Sequence, residues 1–390
     1  MQERRRRWTD NNDLVAGRPP VLLFELPWHE LNIDGKLTLT CENGFARQIE
    51  EHLRRTLFQW EHCPGDMFVE PVYTILKSCS YSGFGLEYIG EALLTDERSG
   101  IRSHSFVDQL ANESDIEKIK SPVIVPFPEK DAEDMALASE LLGGALGVEP
   151  RGYELTFYPW ELITSFRGAN PILIDLCDRP GHLHAVMRAI TDAGIASIEQ
   201  MEKFGLLDCR SPYQFYTPAF SKSVPARPLG EGAPPRFSDV WIRSTAQVFS
   251  SVSPSMHEEF DVQYWKHIAN RCALTYYGCC EPLHDKIEML RKNLKTLRKI
   301  GVTPWADEER SAEQIGRDFV YSRKPNPAYV AFKTDPGLIR AETVKTVELC
   351  VKYGCPYEFV LKDISTVSYK LENLVIWDRT VMETLDEYYS

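Results

Sequence analysis

No stretch of the chain approaches the roughly 18 consecutive apolar residues that a membrane-spanning helix requires, which excludes such a helix. No CxxC pair occurs among the ten cysteines, which argues against a zinc ribbon or finger. An excess of basic charge is also missing. The 57 Asp and Glu residues outnumber the 44 Lys and Arg, a formal charge of −13 and opposite in sign to the usual nucleic-acid-binding footprint. No Gly/Ser-rich linker and no internal repeat divides the chain. The charged residues 1–10 are followed by no apolar segment, so no secretory signal is expected. A cytoplasmic protein is therefore expected, with its cysteines as reduced thiols.

What the chain does contain is apolar material. Hydrophobic residues make up 43%, against 26% charged, which excludes wholesale disorder. A length of 390 residues permits two or three domains, but α/β barrels of this size form a single unit. We expect a tail over residues 1–17 and one domain over 18–390. The Pro-rich stretch 221–236 reads as a loop inside that domain.

Short β-rich runs alternate with amphipathic helical patterns. Strands are expected within 21–26, 67–73, 154–158, 239–249, 274–278, 299–303, 318–322 and 357–362, several of them near-continuously apolar as parallel strands are. Helical spacing relates Ile49, Leu53, Leu57 and Trp60, and again Met187, Ile190, Gly194, Ile198 and Met201. A third helix carries Val344, Val347 and Val351 and stops at Gly354. Eight strands alternating with helices fit a doubly wound sheet or a (β/α)8 barrel. The fold expected is α/β, a single (β/α)8 TIM barrel with an N-terminal extension and an insertion after the second strand. In that insertion, residues 82–88 read as a small β excursion and the acidic stretch beyond as helical. Gly83-Phe84-Gly85 lacks the third glycine of a phosphate loop and reads as a turn.

The strands share the chemistry of their ends. Trp28 and His29 follow the first and Glu70 the second. Tyr158, Trp160 and Glu161 follow the third, and Gln247 the fourth. Tyr277, Cys279, Cys280, Glu281 and His284 follow the fifth, Trp305 the sixth, Lys324 and Asn326 the seventh, and Lys362 and Asp363 the last. In a parallel barrel these ends meet on one face, where active sites are built. His29, Glu70, Lys362 and Asp363 are the candidate catalytic groups. Lys362 is expected either to face outward or to pair with an acid. Lys324 and Asn326, held between prolines, suit an anionic substrate group. Trp28, Tyr158, Trp160, Gln247, Tyr277 and Trp305 suit the wall around a flat or hydrophobic small molecule.

Other polar residues read as structural. His182 and His184 point apart on a helix start, and His257 and Glu258 cap another. Most of the isolated cysteines read as small buried hydrophobes.

Three segments carry a family resemblance: QVFSSVSPSMHEEF at 247–260, YYGCCEPL at 276–283 and FVLKDISTV at 359–367. From residue 18 onward the chain resembles the uroporphyrinogen decarboxylase-like superfamily, in particular a bacterial subgroup with these segments. The resemblance implies one TIM barrel and either of two chemistries, together with a homodimer. The first is cofactor-free decarboxylation, in which an Arg-rich motif after the first strand holds substrate carboxylates, followed by an essential Asp. Here that stretch is FELPWHE at 24–30 and has no arginine, while Asp66 stands near the place of the family Asp. The second is methyl transfer involving a corrinoid protein, with zinc held by a His-x-Cys and a further Cys. This chain keeps the thiol as Cys279, has Tyr277 in place of the His, and ends the last strand in Leu361-Lys362-Asp363.

Beside Cys279, a zinc ion would therefore have to recruit Cys280, Glu281, His284, Glu70 or Asp363. The function expected first is zinc-thiolate methyl transfer to or from a corrinoid protein or a small thiol. Metal-free decarboxylation and a non-catalytic binding barrel are the alternatives. Without a metal, Cys279 and Cys280 read as a partly buried thiol pair open to oxidants.

Overall fold

Seven of the eight expected strand runs join one parallel sheet in the computed structural model, which describes residues 1–94, 102–214, 216–230 and 232–390. We label them β1 (Val21–Leu23), β2 (Leu155–Thr156), β3 (Trp241–Ser244), β4 (Leu274–Tyr277), β5 (Leu297–Val302), β6 (Val320–Arg323) and β7 (Tyr357–Leu361). Their order is β1-β7-β6-β5-β4-β3-β2, with every neighbouring pair parallel. β1, β3, β4, β6 and β7 are buried along their whole length, as apolar strands under helices should be.

The closed eight-stranded barrel is not reached: the sheet stays open between β1 and β2. Residues 67–69 lie beside β1, where the Asp66 amide donates to Val21 O (2.7 Å) and the Val21 amide donates to Asp66 Oδ2 (3.0 Å). They form no ladder. The Tyr213 hydroxyl donates to Phe68 O (3.1 Å) and accepts from the Phe68 amide (3.3 Å), taking up groups a neighbouring strand would use. Pro71 then removes a further donor. Val72–Leu76 pairs instead with Gly147–Arg151 in a separate two-stranded sheet.

The insertion also holds Cys79–Tyr81 paired with Ile124–Pro126, Gly90–Leu94 paired with Arg102–Phe106, and the helix Pro128–Leu142. The β excursion expected at 82–88 thus falls earlier, at 79–81. Gly83 and Gly85 both take positive φ, as a turn requires.

The expected helices form at Gly44–His62, Pro180–Lys203 and Pro336–Tyr353. On the first of these, Leu57 and Trp60 are exposed, and the Arg4 guanidinium lies over the Trp60 ring instead. On the second, Gly194 is required: a Cβ there would come within 2.4 Å of the Phe157 ring. Among the described residues no helix is long and apolar enough to cross a membrane.

Residues 1–17 contain a helix, Gln2–Asn12, that packs into the domain. Trp8 is fully buried and donates to Asp66 O (2.8 Å), while Arg7 and Arg18 hold the Asp66 carboxylate. Asn12 donates to Pro218 O and Phe220 O, fixing a hairpin made of Tyr213–Gln214 and Thr217–Pro218. That hairpin reaches a polar cluster inside the sheet. Glu358 of β7 accepts from Lys299 of β5 (2.7 Å), Ser322 of β6 (2.5 Å), Thr217 (2.9 Å) and Asn11 (3.2 Å). Lys324 donates to the Ser322 hydroxyl at 2.6 Å.

Breaking a fully buried ion pair from one side leaves the other charge without its partner, at about 3–5 kcal/mol. Lys299→Met is therefore expected to lower the thermal unfolding midpoint by several degrees. Lys299→Met with Glu358→Gln should recover most of that loss. A single variant as stable as the parent would show that the pair does not organise the interior.

Candidate active site

Two strand ends build the centre of the site. β4 runs into Gly278, Cys279 and Cys280, and β7 into Lys362 and Asp363. Gly278 has φ 107° and lies against Gly301, where a Cβ would meet the Leu283 side chain at 2.7 Å and the Gly301 backbone at 3.3 Å. Glycine at both positions lets the chain turn there and brings Cys279 over the sheet.

The Lys362 ammonium is buried. It donates to Asp363 Oδ2 (2.5 Å), Cys280 Sγ (3.5 Å) and Cys279 Sγ (3.6 Å). The two sulfurs are 3.6 Å apart, and Cys280 Sγ lies 3.4 Å from Asp363 Oδ2. Cys279 is buried while Cys280 is partly open.

Electrostatics divide the pair. The Cys280 S–H donating to Cys279, with the charges of Lys362 and Arg243 beside it, lowers the Cys279 thiol to about 6 against the pull of burial. The same hydrogen bond and burial push Cys280 up. Cys279 is therefore the thiolate and Cys280 the thiol. Burial works against the Lys362 ammonium, but the Cys279 thiolate and the Asp363 carboxylate outweigh it and raise Lys362. Under the cluster lies Tyr216, at a left-handed φ of 70°, with Lys362 Nζ 4.7 Å and Arg243 5.4 Å from its ring centre. At the rim, Glu25 and Asp363 also take left-handed φ, and the Asp363 amide donates to Glu25 Oε2. Strained backbone of this kind persists only where its surroundings hold it.

Two further titrating groups lie near. Burial pushes the Glu161 carboxyl up to about 7, although Gln247 donates to it through its backbone (2.7 Å) and its amide (3.1 Å). Burial brings Lys324 down to about 7.

The structure brings together Cys279, Cys280, Lys362 and Asp363 of the expected residues. Lys362 faces inward with its acid. Lys324 sits inside the sheet rather than on a rim loop, and Asn326 instead accepts from the Ala328 amide in a turn.

Glu281 and His284 do not join the thiols. Glu281 is fully buried and accepts from the Cys279 amide (3.0 Å), the Ala246 amide (3.2 Å) and Thr245 Oγ1 (2.6 Å), tying the β3 and β4 ends together. His284 accepts from the Asp307 amide and, with the exposed Trp305, lines an outer groove of ≈ 740 Å³. Of the four residues expected to hold zinc, Cys279 and Cys280 thus lie together, while Glu281 and His284 are engaged elsewhere. Among the described residues no group of three or more His, Cys, Asp or Glu side chains is placed to hold a metal ion.

Other candidates lie elsewhere. Glu70 pairs with Arg151 (3.1 Å) and, with Trp28, lines a groove of ≈ 500 Å³ beside the helix Gly44–His62. His29 lies 3.8 Å from the Glu30 carboxylate, which itself holds the Thr366 hydroxyl and the Val367 amide. Tyr158 lines a cavity of ≈ 510 Å³ under Tyr81, Phe84 and Tyr88. Trp160 is core, donating to Phe260 O. Tyr277 points outward, stacked on Trp265 and bonded to His257 (2.6 Å) and Asp261 (3.1 Å). His257 is accordingly part of a buried network and not a helix cap; Ser253 caps that helix. The inward residue is its neighbour Tyr276, whose ring lies 5.3 to 5.9 Å from Arg243, Lys324 and Lys299.

Arg243 and Tyr216 also border the cluster, and neither was expected from the sequence. Arg243 left a signal, a charge directly after the apolar run Val240-Trp241-Ile242 and within the expected strand 239–249. Tyr216 left none.

No family model matches the chain, and no curated protein matches it. Among solved structures it is similar to a methyltransferase from Methanosarcina mazei, at 11% identity and a TM-score of 0.53 over 99% of either chain. At that identity the likeness is one of fold.

Labelling of Cys279 by iodoacetamide, read by peptide mass spectrometry, should titrate near pH 6 and not near the ordinary value of 9.0. The thiolate is the reactive form, so the rate rises as pH increases through 6 and levels off above it. Lys362→Met should move the midpoint upward and slow labelling at pH 7 by about ten-fold or more. An unshifted midpoint in that variant would remove the ammonium from this account.

Proposed function

We propose that the chain is a methyltransferase of the uroporphyrinogen decarboxylase-like type, in which the Cys279 thiolate carries the methyl group and the Lys362 ammonium stands where related enzymes use zinc. The contact of Lys362 Nζ with both sulfurs and with Asp363 carries this reading. The three segments at 247–260, 276–283 and 359–367 and the fold likeness support the reaction class. Two sulfurs and a carboxylate already tied to an ammonium do not fit zinc.

Cys279 Sγ attacks the methyl carbon of an activated donor. The S–C bond forms as the bond to the leaving group breaks, and the leaving group departs with the electron pair. A second nucleophile, an acceptor thiolate or the reduced corrinoid of a partner protein, then takes the methyl. The S–C electron pair returns to Cys279, where Lys362 again holds the thiolate. A low thiol pKa favours this return, because a weakly basic sulfur leaves readily. The same trait lowers its intrinsic nucleophilicity, which the high thiolate fraction at pH 7 offsets.

A second reading, metal-free decarboxylation, draws on the buried cations. Arg243, Lys299, Lys324 and Lys362 turn the interior toward a carboxylate, and Glu30 and Glu70 are bound away from it. Lys324, near neutrality in its protonation, would return a proton to the carbanion.

The test is incubation of purified protein with methylcobalamin and with methyl thioethers, followed by peptide mass spectrometry and metal analysis. A methyl increment on Cys279, lost in Cys279→Ser and unaffected by chelation, is expected. Transfer that stops on chelation and returns with zinc would overturn the ammonium's role. Carbon dioxide release from a carboxylate panel without methyl uptake would favour the second reading.

A further inference from the structure

We infer that Cys279 and Cys280 are a modification site for hydroperoxides, closing to a vicinal disulfide when Cys279 is oxidised. The chemistry stands on the thiol geometry; only its effect on methyl transfer rests on the function proposed above.

Three observations carry it. The sulfurs are 3.6 Å apart, so bond formation needs only a small approach. The Lys362 ammonium touches both, and so keeps one of them anionic while lying where a departing oxyanion would be neutralised. Cys280 is partly open and its sulfur lies 3.4 Å from the half-exposed carboxylate of Asp363, so its proton has an acceptor to turn to once Cys279 is oxidised. Among the described contacts no other cysteine has both a second sulfur and a lysine ammonium in reach. Cys63, Cys272, Cys350 and Cys355 are buried, and burial raises the thiols of Cys63 and Cys272. Cys177 is exposed and none of the described contacts gives it a cation.

The steps balance. The Cys279 thiolate attacks the terminal oxygen of a hydroperoxide, an S–O bond forms and the O–O bond breaks. The alkoxide leaves with the electron pair and takes a proton from Lys362 or water, which gives an alcohol and a sulfenic acid. Cys280 passes its proton to Asp363 and attacks the sulfenic sulfur. The S–S bond forms as the S–O bond breaks, and hydroxide leaves and takes that proton as water. Two thiols are oxidised, and one hydroperoxide is reduced to alcohol and water. Adjacent Cα atoms lie closer than a relaxed disulfide prefers, so the bond formed is one that a dithiol reopens.

The test uses the full chain with one equivalent of hydrogen peroxide, read by intact mass and peptide mapping. In the wild type the peptide holding Cys279 and Cys280 should lose two hydrogens, regained with dithiothreitol, while Cys177 stays reduced. In Cys280→Ser, dimedone should trap a sulfenic acid at Cys279; in Cys279→Ser neither product should form. Circular dichroism of both variants checks folding. A dimedone adduct as the main wild-type product, or a disulfide that links other cysteines, would overturn the inference. Methyl uptake measured on the same samples should fall about ten-fold on oxidation and return on reduction. Closure without any methyl uptake in reduced protein would sink the function proposed above and leave this site standing.

Discussion

A lysine ammonium withdrawn from water must find charge or strong acceptors, and in this fold Lys362 finds them at the ends of two strands. Two sulfurs and one carboxylate surround it. This single arrangement decides which thiol ionises and where the second thiol turns its proton. It also states something about the sheet. β7 and β4 are separated by β6 and β5, so three strand spacings lie between them, about 14 Å in a flat sheet. Side chains from the two ends meet only if the sheet curls strongly. The open edge between β1 and β2 thus leaves the curvature of a barrel intact where the thiols lie.

The interior beneath is polar, unlike an ordinary aliphatic barrel filling. Glu358 gathers Lys299, Ser322, Thr217 and Asn11, and Tyr276 is faced by three cations. Burial acts on these groups according to their charge. It pushes Glu161 up and brings Lys324 down, so that an acid and a base meet near neutrality. A site holding both can store or release a proton at little energetic cost near pH 7.

Much of this was legible in the sequence because strands and helices announce themselves through apolar spacing. The β4 and β7 ends, with Cys279, Cys280, Lys362 and Asp363, stood out as polar residues just beyond apolar runs. Other parts could not be read. Glu281 looked like a metal ligand, but backbone amides captured its carboxylate, and nothing in a single sequence counts amides in space. Tyr277 and Tyr276 differ by one position, and a one-residue ambiguity in strand phase exchanges inside for outside. The second strand had the right residues yet yielded its backbone groups to the Tyr213 hydroxyl, a partner 145 positions away. Tyr216 reached the site on a hairpin whose local sequence carries no strand-length pattern.

The tie between Asn11 and Glu358 spans 347 positions, and β1 finds its neighbour only in β7. Contacts so distant along the chain form late and slowly, because long loops must close before they are rewarded. During synthesis the earliest strand therefore waits without a sheet partner until β7 has emerged. An exposed strand edge of that kind is a template for wrong pairing. Acquiring a floor from segments so far apart thus ties completion of the thiol cluster to a late stage of folding, with association between unfinished copies as the competing fate.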